Sequence, residues 1–122
     1  MPHKDKTILI ADDDELICDL LTFVLEGEGY KILTAHTAET IINKIQTMHP
    51  DLTLLDLTLG DKSGTEVLKA IDGSEMPVIM LSGYDAKYIE ESGIKKYSCV
   101  KGFLMKPVSP ETVAAEVKKA LA

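Results

Sequence analysis

The sequence predicts an α/β fold, a doubly wound parallel sheet of five strands wrapped by five helices. Three observations carry that prediction. Strand-like and helix-like hydrophobic patterns alternate along the whole chain, which calls for a parallel sheet with helices on both faces. The length, 122 residues, suits one domain with its own core, so residues 1–122 are expected to form a single unit. The notable polar residues follow directly after strand patterns, at the sheet edge where open α/β folds bind ligands.

The elements follow in order. "TILIA" (7–11) is a short apolar run rich in β-branched residues and predicts the first strand. Leu16, Ile17, Leu20, Leu21, Val24 and Leu25 then recur at helical spacing, and Gly27 and Gly29 end that helix. Of the preceding acids, Asp14 is expected to cap it. "YKILTA" (30–35) predicts the second strand. Thr37 caps a helix carrying Ile41, Ile42 and Ile45 that stops before Pro50. "LTLLD" (52–56) is the third strand, and Gly64 opens a helix with Val67, Leu68 and Ile71. "PVIML" (77–81) is the fourth strand, broken by Ser82 and Gly83. A weaker helical pattern runs from about Tyr84 to Ser92. "GFLM" (102–105) is the fifth strand. Ser109 at the N-cap and Pro110 at the first helical position start the last helix, with Val113, Val117 and Leu121 as its apolar stripe.

Bulk composition excludes several classes. The net charge of −7, with no basic stripe, argues against direct nucleic-acid binding and against anionic membranes. No apolar run approaches the roughly 18 residues of a membrane span, and "MPHKDK" is not a signal peptide. Cys18 and Cys99 lie far apart and form no C-x-x-C, so a reduced, cytoplasmic setting is expected. His3, His36 and His49 lack ligand spacing and read as surface residues.

Asp12 and Asp13 follow the first strand, Asp56 ends the third, Ser82 follows the fourth and Lys106 follows the fifth. Each has an ordinary explanation alone: a cap, a turn residue, a solvated lysine. Together they aim three carboxylates, a hydroxyl and an ammonium at one sheet edge. Crowded carboxylates must take up a proton or bind a cation. A set of hard oxygens suits Mg²⁺ best, with Mn²⁺ as a substitute. A lysine beside such an ion is built to receive a phosphoryl group, with Asp56 placed as the nucleophile.

The segments "ILIADDDE", "PDLTLLDLTLGDKSG", "PVIMLSG" and "GFLMKP" resemble, in order and spacing, a two-component response-regulator receiver domain of the chemotaxis-regulator type, over almost the whole chain. The resemblance implies a flavodoxin-like sheet of order 2-1-3-4-5. It implies that Asp56 is the phosphoacceptor and that Asp13 binds Mg²⁺ directly, with Asp12 acting largely through water. The backbone carbonyl of Thr58 would be a further metal ligand. Lys106 would pair with the phosphoryl group, and the Lys106–Pro107 bond would be cis. Ser82 and Phe103 would be the switch hydroxyl and switch aromatic. Thr58 and Tyr84 would flank the phosphoryl group and tune its lifetime. The implied donor is a phosphohistidine of a sensor histidine kinase or histidine phosphotransfer protein. The implied target is a downstream output protein or domain, read through the face made by the fourth helix, fifth strand and fifth helix. The domain would catalyse its own phosphoryl transfer and slow self-dephosphorylation without being a conventional enzyme. Two features depart from the family: Gly60 stands where Pro is common, and "IKKYSCVKG" lacks the usual Gly-Ala pair.

Three rival functions fit the sequence less well. A Mg²⁺-dependent phosphatase with an aspartyl-phosphate intermediate would need a second acid two residues after the nucleophile, where Thr58 stands. A flavin-binding carrier would need a hydroxyl- and Gly-rich phosphate loop where "DDDE" stands. A scaffold that is never phosphorylated has no reason to keep the full set of Asp, Ser and Lys. With no stretch left after the last helix for an output domain, either a stand-alone module or part of a longer regulator is expected.

Overall fold

The computed structural model describes residues 6–59, 62–83, 93 and 96–121, with the backbone alone at Thr58, Leu59, Lys62 and Ser63. Five parallel strands form one sheet: β1 (Thr7–Ala11), β2 (Lys31–Ala35), β3 (Leu52–Asp56), β4 (Val78–Ser82) and β5 (Val100–Met105). Their spatial order is β2-β1-β3-β4-β5. Four helices are described: α1 (Glu15–Gly27), α2 (Ala38–Met48), α3 (Gly64–Ala70) and α4 (Pro110–Leu121). The helix expected from about Tyr84 to Ser92 lies outside the described residues, so the last helix is α4 here.

Side-chain alternation along the strands builds two cores, one on each face of the sheet. Ile8, Ile10, Leu52, Leu54, Ile79 and Leu81 point to one face and pack with Cys18, Leu21 and Leu25 of α1 and Val113 and Val117 of α4. Leu9, Ala11, Leu55, Val78 and Met80 point to the other, against Ile41 and Ile45 of α2 and Val67 and Leu68 of α3. β3 and β4 are buried along their full length, as central parallel strands must be.

The helix ends follow from local chemistry. The Asp14 carboxylate accepts from the backbone N–H groups of Leu16 (3.0 Å) and Ile17 (3.4 Å), capping α1. The Thr37 hydroxyl accepts from Thr40 N (3.2 Å) to cap α2, and the Ser109 hydroxyl accepts from Thr112 N (3.3 Å) at the start of α4. Beyond α1, Gly29 takes the positive φ that turns the chain into β2. At the end of α2 the same turn falls on His49, at φ 47°, directly before Pro50. A feature the sequence pattern does not announce lies past β3: Thr58–Leu59 pairs antiparallel with Lys62–Ser63.

Candidate functional site

Strand register dictates which polar residues meet. β1 pairs with β3 so that Ala11 sits opposite Leu55, which puts the next residues, Asp12 and Asp56, side by side. β3 pairs with β4 so that Asp56 sits opposite Leu81, one residue before Ser82. Ser82 in turn sits opposite Met105, one residue before Lys106. Parallel strands end on one edge, so four of them deliver the side chains at or just past their carboxyl ends to one place.

Asp12, Asp13 and Asp56 each offer a carboxylate oxygen, and the three oxygens lie within 4.8 Å of one another. Asp12 is fully buried and Asp56 only 5% exposed, whereas Asp13 is exposed and opens the cluster to solvent. Lys106 bridges the two buried acids, with Nζ 2.8 Å from Asp12 Oδ2 and 3.4 Å from Asp56 Oδ2. Burial by itself works against the Lys106 charge, but the hydrogen bond and charge of Asp12, then those of Asp56, outweigh it and hold the ammonium above the usual lysine range. One ammonium against three carboxylates leaves the edge with an excess of negative charge. The donors are all hard oxygens, which fits Mg²⁺ or Mn²⁺ and not a soft metal.

Ser82 ends β4 and is 1% exposed, and its carbonyl accepts from the Lys106 backbone N–H (2.6 Å). The Lys106–Pro107 peptide is cis. Phe103, on β5, is partly buried against the core that contains Met80 and Leu55. Thr58 begins the short hairpin two residues past Asp56, and its side chain is outside the described set. Tyr84 lies outside the described residues.

Two neighbours escape a reading of sequence spacing. His36, the first residue after β2, points Nδ1 at the Asp12 backbone carbonyl (2.8 Å), and the Cys18 thiol donates to the same oxygen (3.4 Å). Burial, then the nearby Asp12 charge, pushes the Cys18 thiol up to about 11, so it stays protonated at neutral pH. The β1–β2 pairing of Ala11 with Ala35 brings His36 beside Asp12, a proximity no local pattern encodes.

Fold and site together define an open α/β domain with an acidic, lysine-bridged edge at the carboxyl ends of its strands. The profile of the response regulator receiver domain family matches residues 8–118, and the chain belongs to that family. It is a receiver domain of the kind found in two-component response regulators. It is 35% identical, over 119 residues, to the alkaline phosphatase synthesis transcriptional regulatory protein PhoP of Bacillus subtilis. That alignment covers 96% of this chain and 49% of PhoP, so the chain spans about half the length of that relative. A CheY-like receiver domain from Methanospirillum hungatei superimposes with a TM-score of 0.85 at 37% identity, covering 95% of this chain and 93% of that one. The chemotaxis response regulator CheY4 of Vibrio cholerae gives a TM-score of 0.84 at 25% identity, covering 95% and 98%. No helix among the described residues is long and apolar enough to cross a membrane.

Proposed function

We propose that this receiver domain is a phosphorylation-activated switch whose phosphoacceptor is Asp56. The observation that carries the reading is the cluster itself, three carboxylates within 4.8 Å with Lys106 on two of them. Asp12, Asp13, Asp56 and the Thr58 carbonyl would hold Mg²⁺, Asp12 largely through water. When bound, the ion supplies positive charge against the phosphoryl oxygens and relieves the repulsion among the acids.

The transfer needs little from the chain beyond placement and charge. An Asp56 carboxylate oxygen bonds to phosphorus as the phosphorus–nitrogen bond of the donor phosphohistidine breaks. The imidazole leaves, and an acyl phosphate remains on Asp56. Lys106 exchanges its ion pair with Asp56 for one with a phosphoryl oxygen, and the Ser82 hydroxyl donates to another. Ser82 moves toward the phosphoryl group, Phe103 turns inward, and the face around β5 and α4 changes shape for the output partner. Phosphorylation biases an equilibrium between two existing forms. Thr58 and Tyr84 would tune the lifetime of the acyl phosphate, as the likeness to the family implies.

The donor is a protein, and α1 supports that. Leu16, Leu20 and Phe23 are 78%, 50% and 79% exposed at i, i+4 and i+7, so they form one apolar stripe. α1 begins two residues past Asp13, so the stripe lies on the element that leads directly away from the acidic cluster. The stripe is the surface on which the donor docks.

The reading is tested by incubating the chain with acetyl phosphate, with Mg²⁺ or with EDTA. Intact mass rises by one phosphoryl group with Mg²⁺, stays unchanged with EDTA, and does not rise in Asp56→Asn. Steady turnover of phosphomonoesters, without a stoichiometric phosphoprotein, would show a phosphatase instead.

A further inference from the structure

Every polar atom of Asp12 has a partner. Its N–H donates to the Ala35 carbonyl (3.2 Å), Oδ1 accepts from the Asp14 N–H (2.9 Å), and Oδ2 pairs with Lys106 (2.8 Å). Its backbone carbonyl takes two donors from two different elements: the His36 ring at the end of β2 (2.8 Å) and the Cys18 thiol on α1 (3.4 Å). A carbonyl oxygen has two lone pairs and only accepts, so the His36 proton must sit on Nδ1. This carbonyl belongs to the Asp12–Asp13 peptide, whose plane sets the direction from which the Asp13 carboxylate leaves the backbone. Neither His36 nor Cys18 contributes an atom to the carboxylate cluster.

We infer that His36 is a positioning residue for the cation site: its Nδ1–H, together with the Cys18 thiol, fixes the Asp12–Asp13 peptide so that both carboxylates meet the oxygen of Asp56. The inference rests on the reading that these three acids hold Mg²⁺. Partners that orient a ligand from behind are a regular source of metal affinity. Asp12 is also held through its carboxylate, and Asp13, the exposed member of the cluster, is the residue that follows the peptide held by His36 and Cys18. Without the ring donor, that peptide samples more orientations and the cluster must be ordered when the cation binds. His36 is exposed, so replacing it leaves the core intact, whereas Cys18 is 2% exposed and packs within it.

The test compares the full chain with His36→Ala and His36→Asn. Calorimetry measures Mg²⁺ affinity, and thermal unfolding in EDTA measures stability without the cation. Asn places a side-chain N–H where the ring carries Nδ1–H. His36→Ala is expected to weaken Mg²⁺ binding about 2- to 10-fold, the range one net hydrogen bond supports. His36→Asn is expected to restore most of it, at an EDTA midpoint matching that of His36→Ala. Parent-like affinity in His36→Ala, or equal weakening in both variants, would overturn the inference. Absence of Mg²⁺ binding by the parent would overturn the cation reading, and the inference with it.

Discussion

Lys106 holds one ammonium against two buried carboxylates, so its replacement separates two effects of charge. In Lys106→Met, Asp12 and Asp56 face each other with no cation between them. Without Mg²⁺ the fold should lose about 3 kcal/mol, the low end for a partly exposed partner, because removing it strands the buried charge of the others. Saturating Mg²⁺ should restore most of that loss, and Mg²⁺ affinity should rise, since a competing cation has gone. Phosphoryl uptake should slow, since the phosphoryl oxygen that Lys106 would pair with loses that cation. Unfolding scans with EDTA and with Mg²⁺ check the first pair of effects, and mass against time checks the last. The parent's pairing has a defined pH window. The Lys106 pKa is raised on folding, so its stabilisation is complete below the ordinary lysine value of about 10.4 and is lost as pH rises through the elevated one.

At the scale of elements, α3 and α1 carry separate expectations. Gly64 starts α3 against the strand that bears Asp56, and a Cβ there would lie 2.5 Å from the Asp56 carbonyl oxygen and 3.1 Å from Leu57 Cα. Both obstacles are backbone, so relief requires α3 and β3 to separate. Gly64→Ala should destabilise the fold by about 1–3 kcal/mol and slow phosphorylation by shifting Asp56. A chemical-denaturation midpoint matching the parent's would contradict the expectation. The α1 stripe makes a different demand. Phe23→Ala removes an exposed ring, so stability and acetyl phosphate uptake should hold, while transfer from a phosphohistidine protein should slow about tenfold, the effect of one aromatic anchor worth 1–2 kcal/mol. Equal rates from both donors in parent and variant would remove the stripe from the docking surface.

For the whole molecule, the sheet was legible because each strand is a short apolar run closed by a turn residue. β1 and β3 have the bounds expected from "TILIA" and "LTLLD", and β2, β4 and β5 differ by one or two residues at their ends. The caps at Asp14, Thr37 and Ser109 were legible because capping is local chemistry. The meeting of Asp12, Asp13, Asp56 and Lys106 was legible only in outline: strand ends can be read from sequence, but the distances depend on register. His36 shows where such reading stops. Its ring is exposed, as expected of a surface histidine, yet it reaches the Asp12 carbonyl through a pairing between β1 and β2 that no spacing rule contains. The antiparallel pair of Thr58–Leu59 with Lys62–Ser63 was missed for a similar reason, since each arm is only two residues long and carries no period. The left-handed turn at His49 stands where a glycine would have signalled it.

All of this converges on the fate of one carboxylate. The most direct measurement is to load the chain with acetyl phosphate and Mg²⁺, reduce the acyl phosphate with borohydride, and sequence the peptides by mass spectrometry. Homoserine is expected in place of aspartate at residue 56 and at no other acid of the cluster. Homoserine at position 12 or 13, or an unmodified Asp56 in a protein that has gained a phosphoryl group, would contradict it.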